Sequence, residues 1–478
     1  MGHFIYCLAV VLVIFEGIII QCESGGGGGA RDVESSKQRQ EKENQQRSMK
    51  KLAEMIDNNT LYETLQELLQ KSTQNEGERV YDPLVTEILQ NCIILIETDK
   101  LASDEGIHEY YEDGEIFLRF GDYSKLIEFL EKFGDQVKKL EFNNRDERYS
   151  PHNEIHINII NHIKTYAKNL EDLRINTICD DNLFWEDISD GGNRTIFPEV
   201  KTFQLKGESE YRRLELDYIF PKLEYFHLEA NVYDKNFSDH LVNLKEISVY
   251  NELMKNVKLD VIFKKNTNLT KIVLAWPQRT DTIRLIEENL KELQTLEVLL
   301  PKKNFLLRTD GSPLIELLSV THFAIKIDRT VERILFEDLS FEMENLEKLT
   351  IVAEYYKPDY QIVKFTKKFK KLKKVVFSVL NEYTIECIEK LQHIEKLTAC
   401  IEENQIESLK QMFGRFDKNS RLQTLKIRFI DNDLFKNYKD DMIIFINNLN
   451  EHGEQKWTLS DKNEIAADVS YLIFKRKQ

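Results

Sequence analysis

The feature that most constrains the fold is a short apolar pattern that occurs twelve times along the chain. Each copy has an apolar residue, two variable residues, a second apolar residue, one variable residue and a third apolar residue. Successive copies start 21 to 33 residues apart. The copies start at Val137, Leu170, Val200, Leu223, Leu244, Leu269, Leu293, Val320, Leu346, Leu372, Ile394 and Leu422. So many copies at near-regular spacing predict a repeat architecture.

Each copy predicts a short β-strand whose alternate side chains point into a core. The segments between copies predict the return to the next strand, and several have helical spacing, as Ile155, Ile159, Ile163 and Tyr166 do. A strand followed by a helix in successive repeats gives a parallel sheet. The expected fold is therefore an α/β solenoid of horseshoe shape, with a concave parallel sheet, convex helices and an α-helical amino-terminal cap.

This pattern resembles the L-x-x-L-x-L core of the leucine-rich-repeat family over residues 130–460. The asparagine that this family usually places three residues after the last leucine is present only as Asn231. The chain is therefore similar to the irregular, asparagine-poor repeats of F-box-associated proteins and of secreted arthropod proteins. The resemblance implies twelve repeats over residues 137–440 and a carboxyl-terminal cap over residues 441–478.

The amino-terminal region is expected to begin with a signal peptide over residues 1–22, because Cys7–Ile20 is an almost unbroken apolar run. A retained membrane anchor is the alternative, since Phe4–Ile20 is about long enough to span a bilayer. Residues 23–47 are rich in Gly, Gln and Glu and predict a disordered tail.

Residues 48–136 predict a mainly helical capping region in front of the repeats. Within it, the apolar spacing predicts a helix over Tyr81–Glu97. A strand over Ile116–Phe120 and a helix over Tyr123–Phe133 are expected to lead into the first repeat.

The signal peptide predicts a secreted, extracellular protein. Four glycosylation sequons are compatible with secretion, at Asn58, Asn193, Asn236 and Asn268. Four cysteines follow the signal peptide, at Cys92, Cys179, Cys387 and Cys400. Cys387 and Cys400 are the favoured disulfide pair, and four buried free thiols are the alternative.

The charge and the motifs exclude several classes of function. The formal net charge is -16, so the chain lacks the basic surface that binds nucleic acid. No membrane partner is expected beyond the signal segment. The sequence has no phosphate-binding loop, dinucleotide-binding fingerprint, nucleophile elbow or H-E-x-x-H motif. We therefore expect a protein that is not an enzyme and has no cofactor.

A group of histidines, His152, His156 and His162, is the nearest approach to a metal site in the sequence. His152 and His156 share one face of the expected helix, as zinc ligands do. The helix is better explained by Ile155, Ile159 and Ile163 facing the core, which makes the histidines surface residues. No metal site is predicted.

The residues that alternate with the core positions are expected to form a ligand-binding concave face. Four aromatic residues on successive strands have the side-chain types that dominate binding interfaces, Tyr225, His227, Tyr250 and Trp276. Lys348, Lys374 and Lys396 occupy the same place in three consecutive repeats, and Lys271 shares the face. An ordinary solvated face is the alternative for both sets.

The expected function is therefore binding of a protein or glycan partner by a secreted leucine-rich-repeat protein. An intracellular F-box-like substrate adaptor, with the repeats as its recognition domain, is the alternative. The sequence leaves the ligand and the oligomeric state undetermined.

Overall fold

The computed structural model divides the chain into two compact units, which meet in sequence near Lys245. It describes residues 63–64, 74–75, 78–79, 83–97, 107–112, 115–144, 154–177, 197–207, 216–230, 237–250, 257–275, 281–299, 314–327, 341–353, 369–377, 394–401, 407, 409–410, 413, 421–429, 432–452, 457–464 and 469–476. The predicted signal peptide and tail lie outside these residues.

The amino-terminal unit has nine strands and four helices whose bounds are defined, and residues 63–64 are also helical. Its elements are β1 (Gln74–Asn75), β2 (Glu78–Arg79), α1 (Pro83–Asn91), β3 (Cys92–Glu97), β4 (Ile107–Glu112), β5 (Glu115–Phe120), α2 (Tyr123–Phe133), β6 (Lys139–Asn144), α3 (Glu154–Tyr166), β7 (Asp172–Thr177), β8 (Thr202–Gly207), α4 (Leu216–Ile219) and β9 (Tyr225–Glu229). Short 3-10 helices lie at Gly134–Gln136, directly after α2, and at Phe237–His240, after β9.

The carboxyl-terminal unit has twelve strands and three helices whose bounds are defined, and residues 407, 409–410 and 413 are also helical. Its elements are β10 (Glu246–Val249), α5 (Leu259–Lys265), β11 (Lys271–Ala275), α6 (Asp281–Asn289), β12 (Thr295–Leu299), β13 (Ile315–Glu316), β14 (His322–Ile327), β15 (Phe341–Glu342), β16 (Lys348–Ala353), β17 (Lys374–Phe377), β18 (Lys396–Ile401), β19 (Thr424–Phe429), α7 (Asn432–His452), β20 (Trp457–Glu464) and β21 (Val469–Arg476).

Parallel pairing of successive strands is the main feature of both units. In the amino-terminal unit, β6 to β9 pair in chain order and all in parallel. In the carboxyl-terminal unit, the parallel run is β10, β11, β12, β14, β16, β17, β18 and β19. All twelve apolar triplets of the sequence coincide with strands of these two runs. The predicted α/β architecture with long parallel pairing is confirmed, and it is consistent with a repeat solenoid.

The core lies against one face of the strands, which we call the core face. Leu140 and Phe142 of β6 line a small cavity together with Ile160 and Ile163 of α3. In the other unit the Phe413 ring lies 4.9 Å from the Phe474 ring, and both side chains are buried. Alternate residues point away from this core, and we call the opposite face of the strands the front face.

The region before the repeats contains more strand than the sequence predicts. The helix expected over Tyr81–Glu97 ends at Asn91, and Cys92–Glu97 forms β3 instead. This strand pairs in parallel with both β5 and β6, so it lies inside the sheet. Five consecutive buried residues, Cys92–Ile96, explain the difference, because a strand covered on both faces needs an unbroken apolar run.

The next two elements follow the prediction closely. Strand β5 and helix α2 match the expected strand and helix before the first repeat. Asp122 caps α2, since its carboxylate accepts hydrogen bonds from the backbone N–H of Ser124 at 2.7 Å and of Lys125 at 3.3 Å. Helix α2 then buries Leu126, Phe129, Leu130 and Phe133.

At the carboxyl end, the parallel order stops at β19. Strand β21 pairs antiparallel with β19, and β20 pairs antiparallel with β21. Helix α7 precedes this hairpin and contacts its strands. The segment that the sequence assigns to a carboxyl-terminal cap is therefore a helix followed by an antiparallel hairpin.

Candidate functional site

The front face of the carboxyl-terminal unit carries a row of three lysines, Lys348, Lys374 and Lys396, which we call the lysine row. Lys348 is in register with Lys374, and Lys374 with Lys396. Lys396 is exposed, and the other two are half-buried. Since neighbouring strands lie about 4.8 Å apart, the three side chains start at closely and evenly spaced positions.

The strands that precede the lysine row carry other types of side chain besides lysine at the matching register positions. Lys271 pairs in register with Glu246 on one side and Thr295 on the other. Lys271 is only 6% exposed in its side chain, and its Nζ lies 3.2 Å from Oε1 of Glu297, which is 2% exposed. Within the described part of the structure, Oε2 of Glu297 has no hydrogen-bond partner. Lys271 is thus half of a buried ion pair.

Two ionisable side chains on this part of the front face, Glu246 and His322, have pKa values that burial shifts. Burial raises the pKa of Glu246, and the nearby charge of Lys271 opposes that rise. Burial also holds the pKa of His322 well below its usual range, helped by Lys348 and Lys271. The neutral His322 ring lies 3.2 Å, through Nε2, from the Thr350 hydroxyl.

An apolar cluster lies on β11 and β12, further along these strands than Lys271. It consists of Val273, Ala275 and Leu299, and the half-buried Tyr250 packs against it. Every residue of β11 and β12 is buried, so both faces of these strands are covered. The predicted neighbour of Tyr250, Trp276, lies outside the described residues.

The carboxyl end of β19 holds a buried guanidinium. Arg428 is 4% exposed and lies in register with Cys400. Among the contacts that the structure describes, its Nε and Nη1 have no hydrogen-bond partner. A buried cation with unsatisfied donors is energetically costly, so this arginine is a candidate for contact with an anion.

The front face of the amino-terminal unit carries a network of charges around Arg174. Its guanidinium donates to both carboxylate oxygens of Glu115, at 2.5 Å and 2.7 Å, and to Asp172 at 3.1 Å. Burial alone would lower the pKa of Arg174, but the Glu115 hydrogen bonds and the Asp172 charge raise it. Glu141 is in register with Arg174, and burial raises the pKa of Glu141 against the opposing charge of that arginine.

The two aromatic residues predicted for this unit lie on β9. Tyr225 and His227 are both half-buried front-face residues. Nε2 of His227 lies 3.8 Å from the Glu229 carboxylate, and Lys206 lies 3.5 Å from that same carboxylate. Burial lowers the pKa of His227, and the nearby Glu229 carboxylate opposes the shift.

Several other predicted site residues are only partly described. Asn268 lies exposed in the turn between α5 and β11, whereas Asn58, Asn193 and Asn236 lie outside the described residues. Cys400 is buried on β18 and Cys92 on β3. Cys387 and Cys179 lie outside the described part, so the Cys387–Cys400 disulfide stays a prediction.

The histidine group of the sequence falls on α3. His152 lies outside the described residues, and of His156 only the helical backbone is described. Nδ1 of His162 lies 2.6 Å from the Asn158 carbonyl oxygen, and its Nε2 lies 3.8 Å from Glu131. Among the described residues, no group of three or more His, Cys, Asp or Glu could hold a metal ion.

Sequence reasoning placed the charged residues on the front face but missed their pairing. Glu115 and Arg174 are 59 residues apart in sequence, so no local spacing signals their contact. The Lys271–Glu297 pair joins adjacent repeats, and opposite charges at nearby register positions were the available signal.

No protein-family model matches the chain, and no curated protein matches it. Among solved structures, the chain is similar to one in the crystal structure of the Rad7 and Elc1 complex in yeast. That alignment has a TM-score of 0.33 and 11% identity, and covers 78% of this chain and 87% of the yeast chain. No helix among the described residues has both the length and the apolar character needed to cross a membrane.

Proposed function

We propose that the chain is a secreted leucine-rich-repeat protein that binds a protein or glycan ligand through its front face, the concave face of the expected horseshoe. The observation that supports this function best is the register of the lysine row, Lys348, Lys374 and Lys396. Parallel strands hold these side chains on a rigid surface, so little conformational entropy is lost when a ligand binds. The predicted signal peptide directs the chain into the secretory pathway.

The lysine row contrasts with the net charge of the whole chain, which is -16. A cationic strip on an acidic protein provides a local site that attracts anionic ligands. Surface lysines that merely solvate the sheet need no alignment across three strands. We therefore assign the lysine row to ligand contact.

The binding test compares the full chain with a Lys348→Glu/Lys374→Glu/Lys396→Glu variant, using heparin and poly-L-glutamate as anionic probes. We expect at least one probe to bind the original chain and to lose about tenfold or more in affinity for the variant. The same binding should weaken as salt is raised, because exposed charges are screened.

The matched control reverses three lysines away from the front face, in Lys264→Glu/Lys291→Glu/Lys371→Glu. These residues are exposed, and the change in net charge is the same as in the test variant. The control should bind like the original chain. Equal losses in both variants, or no loss in either, would contradict a role for the lysine row.

Secretion is tested through the exposed sequon of Asn268. We expect the expressed chain to enter the culture medium, to begin near Glu23 and to carry a glycan at Asn268, because that turn is accessible. Asn268→Gln should abolish this glycan, and Thr270→Ser should keep it, since serine preserves the sequon. Mass spectrometry with and without glycosidase treatment measures both. Unglycosylated protein retained in the cytosol would contradict the proposal.

A further inference from the structure

The front face of the amino-terminal unit is accessible on β7, β8 and β9, where every second residue points away from the core. The nine residues at these positions, which we call the polar patch, begin with Asp172, Thr202 and Tyr225 of the three strands. Eight of them are half-buried, and Glu229 is exposed. By contrast, every residue of β11 and β12 in the carboxyl-terminal unit is buried. Each residue of the polar patch therefore retains surface that a ligand can contact.

The charges of the polar patch are balanced and paired with one another. Arg174 donates to Asp172 at 3.1 Å, and Nζ of Lys206 lies 3.5 Å from the Glu229 carboxylate. Glu115 of β5 accepts a second hydrogen bond from Arg174 at 2.7 Å and helps to fix the guanidinium. The two cations and two carboxylates of the patch cancel in formal charge. A charged ligand therefore gains little net attraction from this surface.

The other five residues of the polar patch are uncharged side chains with hydrogen-bonding groups, and none is aliphatic. They are Asn176, Thr202, Gln204, Tyr225 and His227. Within the described structure, the side chains of Asn176, Thr202 and Gln204 take part in no hydrogen bond. Amide and hydroxyl groups both donate and accept, and the lowered pKa of His227 leaves a neutral ring that does the same.

This set of side chains suits an uncharged ligand with many hydroxyl groups. Each sugar hydroxyl both donates and accepts a hydrogen bond, and the Tyr225 ring offers apolar surface to the C–H groups of a sugar ring. A protein interface is usually anchored by several large apolar side chains, and the polar patch has only Tyr225 of that kind. The patch measures about 10 Å across its strands and about 13 Å along them, which accommodates a short oligosaccharide.

We infer that the polar patch binds an uncharged oligosaccharide, whose hydroxyl groups exchange hydrogen bonds with Asn176, Thr202 and Gln204 and whose sugar ring stacks on Tyr225. The strands and the paired charges hold these side chains in place, so little conformational entropy is lost on binding. This inference rests on the proposed function, because it keeps the front face as the binding surface. It adds a site and a ligand class that are distinct from those of the lysine row.

Isothermal titration calorimetry of the full chain with cellohexaose, maltohexaose and mannohexaose tests the inference. These probes are uncharged and differ in linkage and in the configuration of their hydroxyl groups. We expect at least one of them to bind with a dissociation constant below about 1 mM. Absence of binding by all three would overturn the inference.

Gln204→Leu and Tyr225→Ala should each weaken that binding about tenfold, because one removes hydrogen-bonding groups and the other removes the stacking ring. Gln294→Leu and Tyr218→Ala are the matched controls, since both residues are exposed and lie outside the polar patch. Both controls should bind like the original chain. Tyr225→Phe keeps the ring and should retain most of the affinity, so it separates stacking from a general loss of structure. A Gln204→Leu variant that is folded by circular dichroism and binds normally would contradict the inference.

Heparin separates this inference from the proposed function on which it rests. The bound hexasaccharide should bind the Lys348→Glu/Lys374→Glu/Lys396→Glu variant like the original chain, whereas heparin should not. If heparin binds through the lysine row and no hexasaccharide binds, the proposed function stands and this inference fails. If a hexasaccharide binds through the polar patch and neither heparin nor poly-L-glutamate binds, this inference stands and the role of the lysine row fails. If no probe binds, both fail.

Discussion

Lys271→Met is expected to lower the free energy of unfolding by about 3–5 kcal/mol, the usual cost of breaking a buried ion pair by removing one partner. The side chains of Lys271 and Glu297 are 6% and 2% exposed, so water does not replace the lost partner. Glu246 adds to the effect, because Lys271 is the cation that opposes the upward shift of its pKa. Urea denaturation, followed by far-UV circular dichroism, measures the change.

Two controls identify the cause of that loss. Lys264→Met removes an exposed lysine whose ion pair with Asp260 spans 3.9 Å, and it should cost less than about 1 kcal/mol. The double variant Lys271→Met/Glu297→Leu removes both buried charges and should recover most of the stability. A double variant as unstable as Lys271→Met alone would show that the loss comes from packing.

The strand register was the most predictable feature of the fold. The triplet beginning at Leu346 places Leu349 and Ile351 on the core face, and the structure buries both residues on β16. The same offset puts Lys348, Lys374 and Lys396 in one row. Periodicity was sufficient here because a strand has two faces and the apolar residues identify the buried one.

The prediction failed where one sequence pattern fits two structures. Cys92–Ile96 continues the apolar side of an expected helix, yet the same residues suit a strand that is buried on both faces. Tertiary pairing with β5 and β6 selects the strand. The segment Pro83–Glu97 contains no Gly and no second Pro, so Asn91 is the one weak stop signal in it.

The chemistry of the candidate site was less predictable than its position. Lys271 and Lys348 occupy equivalent places in their repeats, but Lys271 is buried in an ion pair while Lys348 is half-buried. Whether a front-face side chain is covered depends on distant parts of the chain. Arg428 shows the same limit, because its burial does not follow from its place in the triplet.

Arg174→Leu is expected to destabilise the amino-terminal unit by about 2–3 kcal/mol near neutral pH. The guanidinium holds three charge-assisted hydrogen bonds, two to Glu115 and one to Asp172. The paired side chains are partly exposed, and solvent screening keeps the cost below that of the Lys271 pair. Urea denaturation measures this change, and Arg174→Lys should lose part of the stability because it keeps the charge without the bidentate geometry.

The pH dependence distinguishes this electrostatic loss from a packing defect. Burial raises the pKa of Glu141 in the folded chain, and Arg174 opposes that rise. Without the arginine the folded pKa rises further, so the folded state holds more protons than the unfolded state between the two values. Stability of the variant must then increase as the pH falls through this window. The deficit relative to the original chain should therefore shrink as the pH falls from neutral toward about 4.3, the ordinary value for a glutamate carboxyl. A deficit that stays constant over that range would instead assign the loss to the missing apolar stem of Arg174.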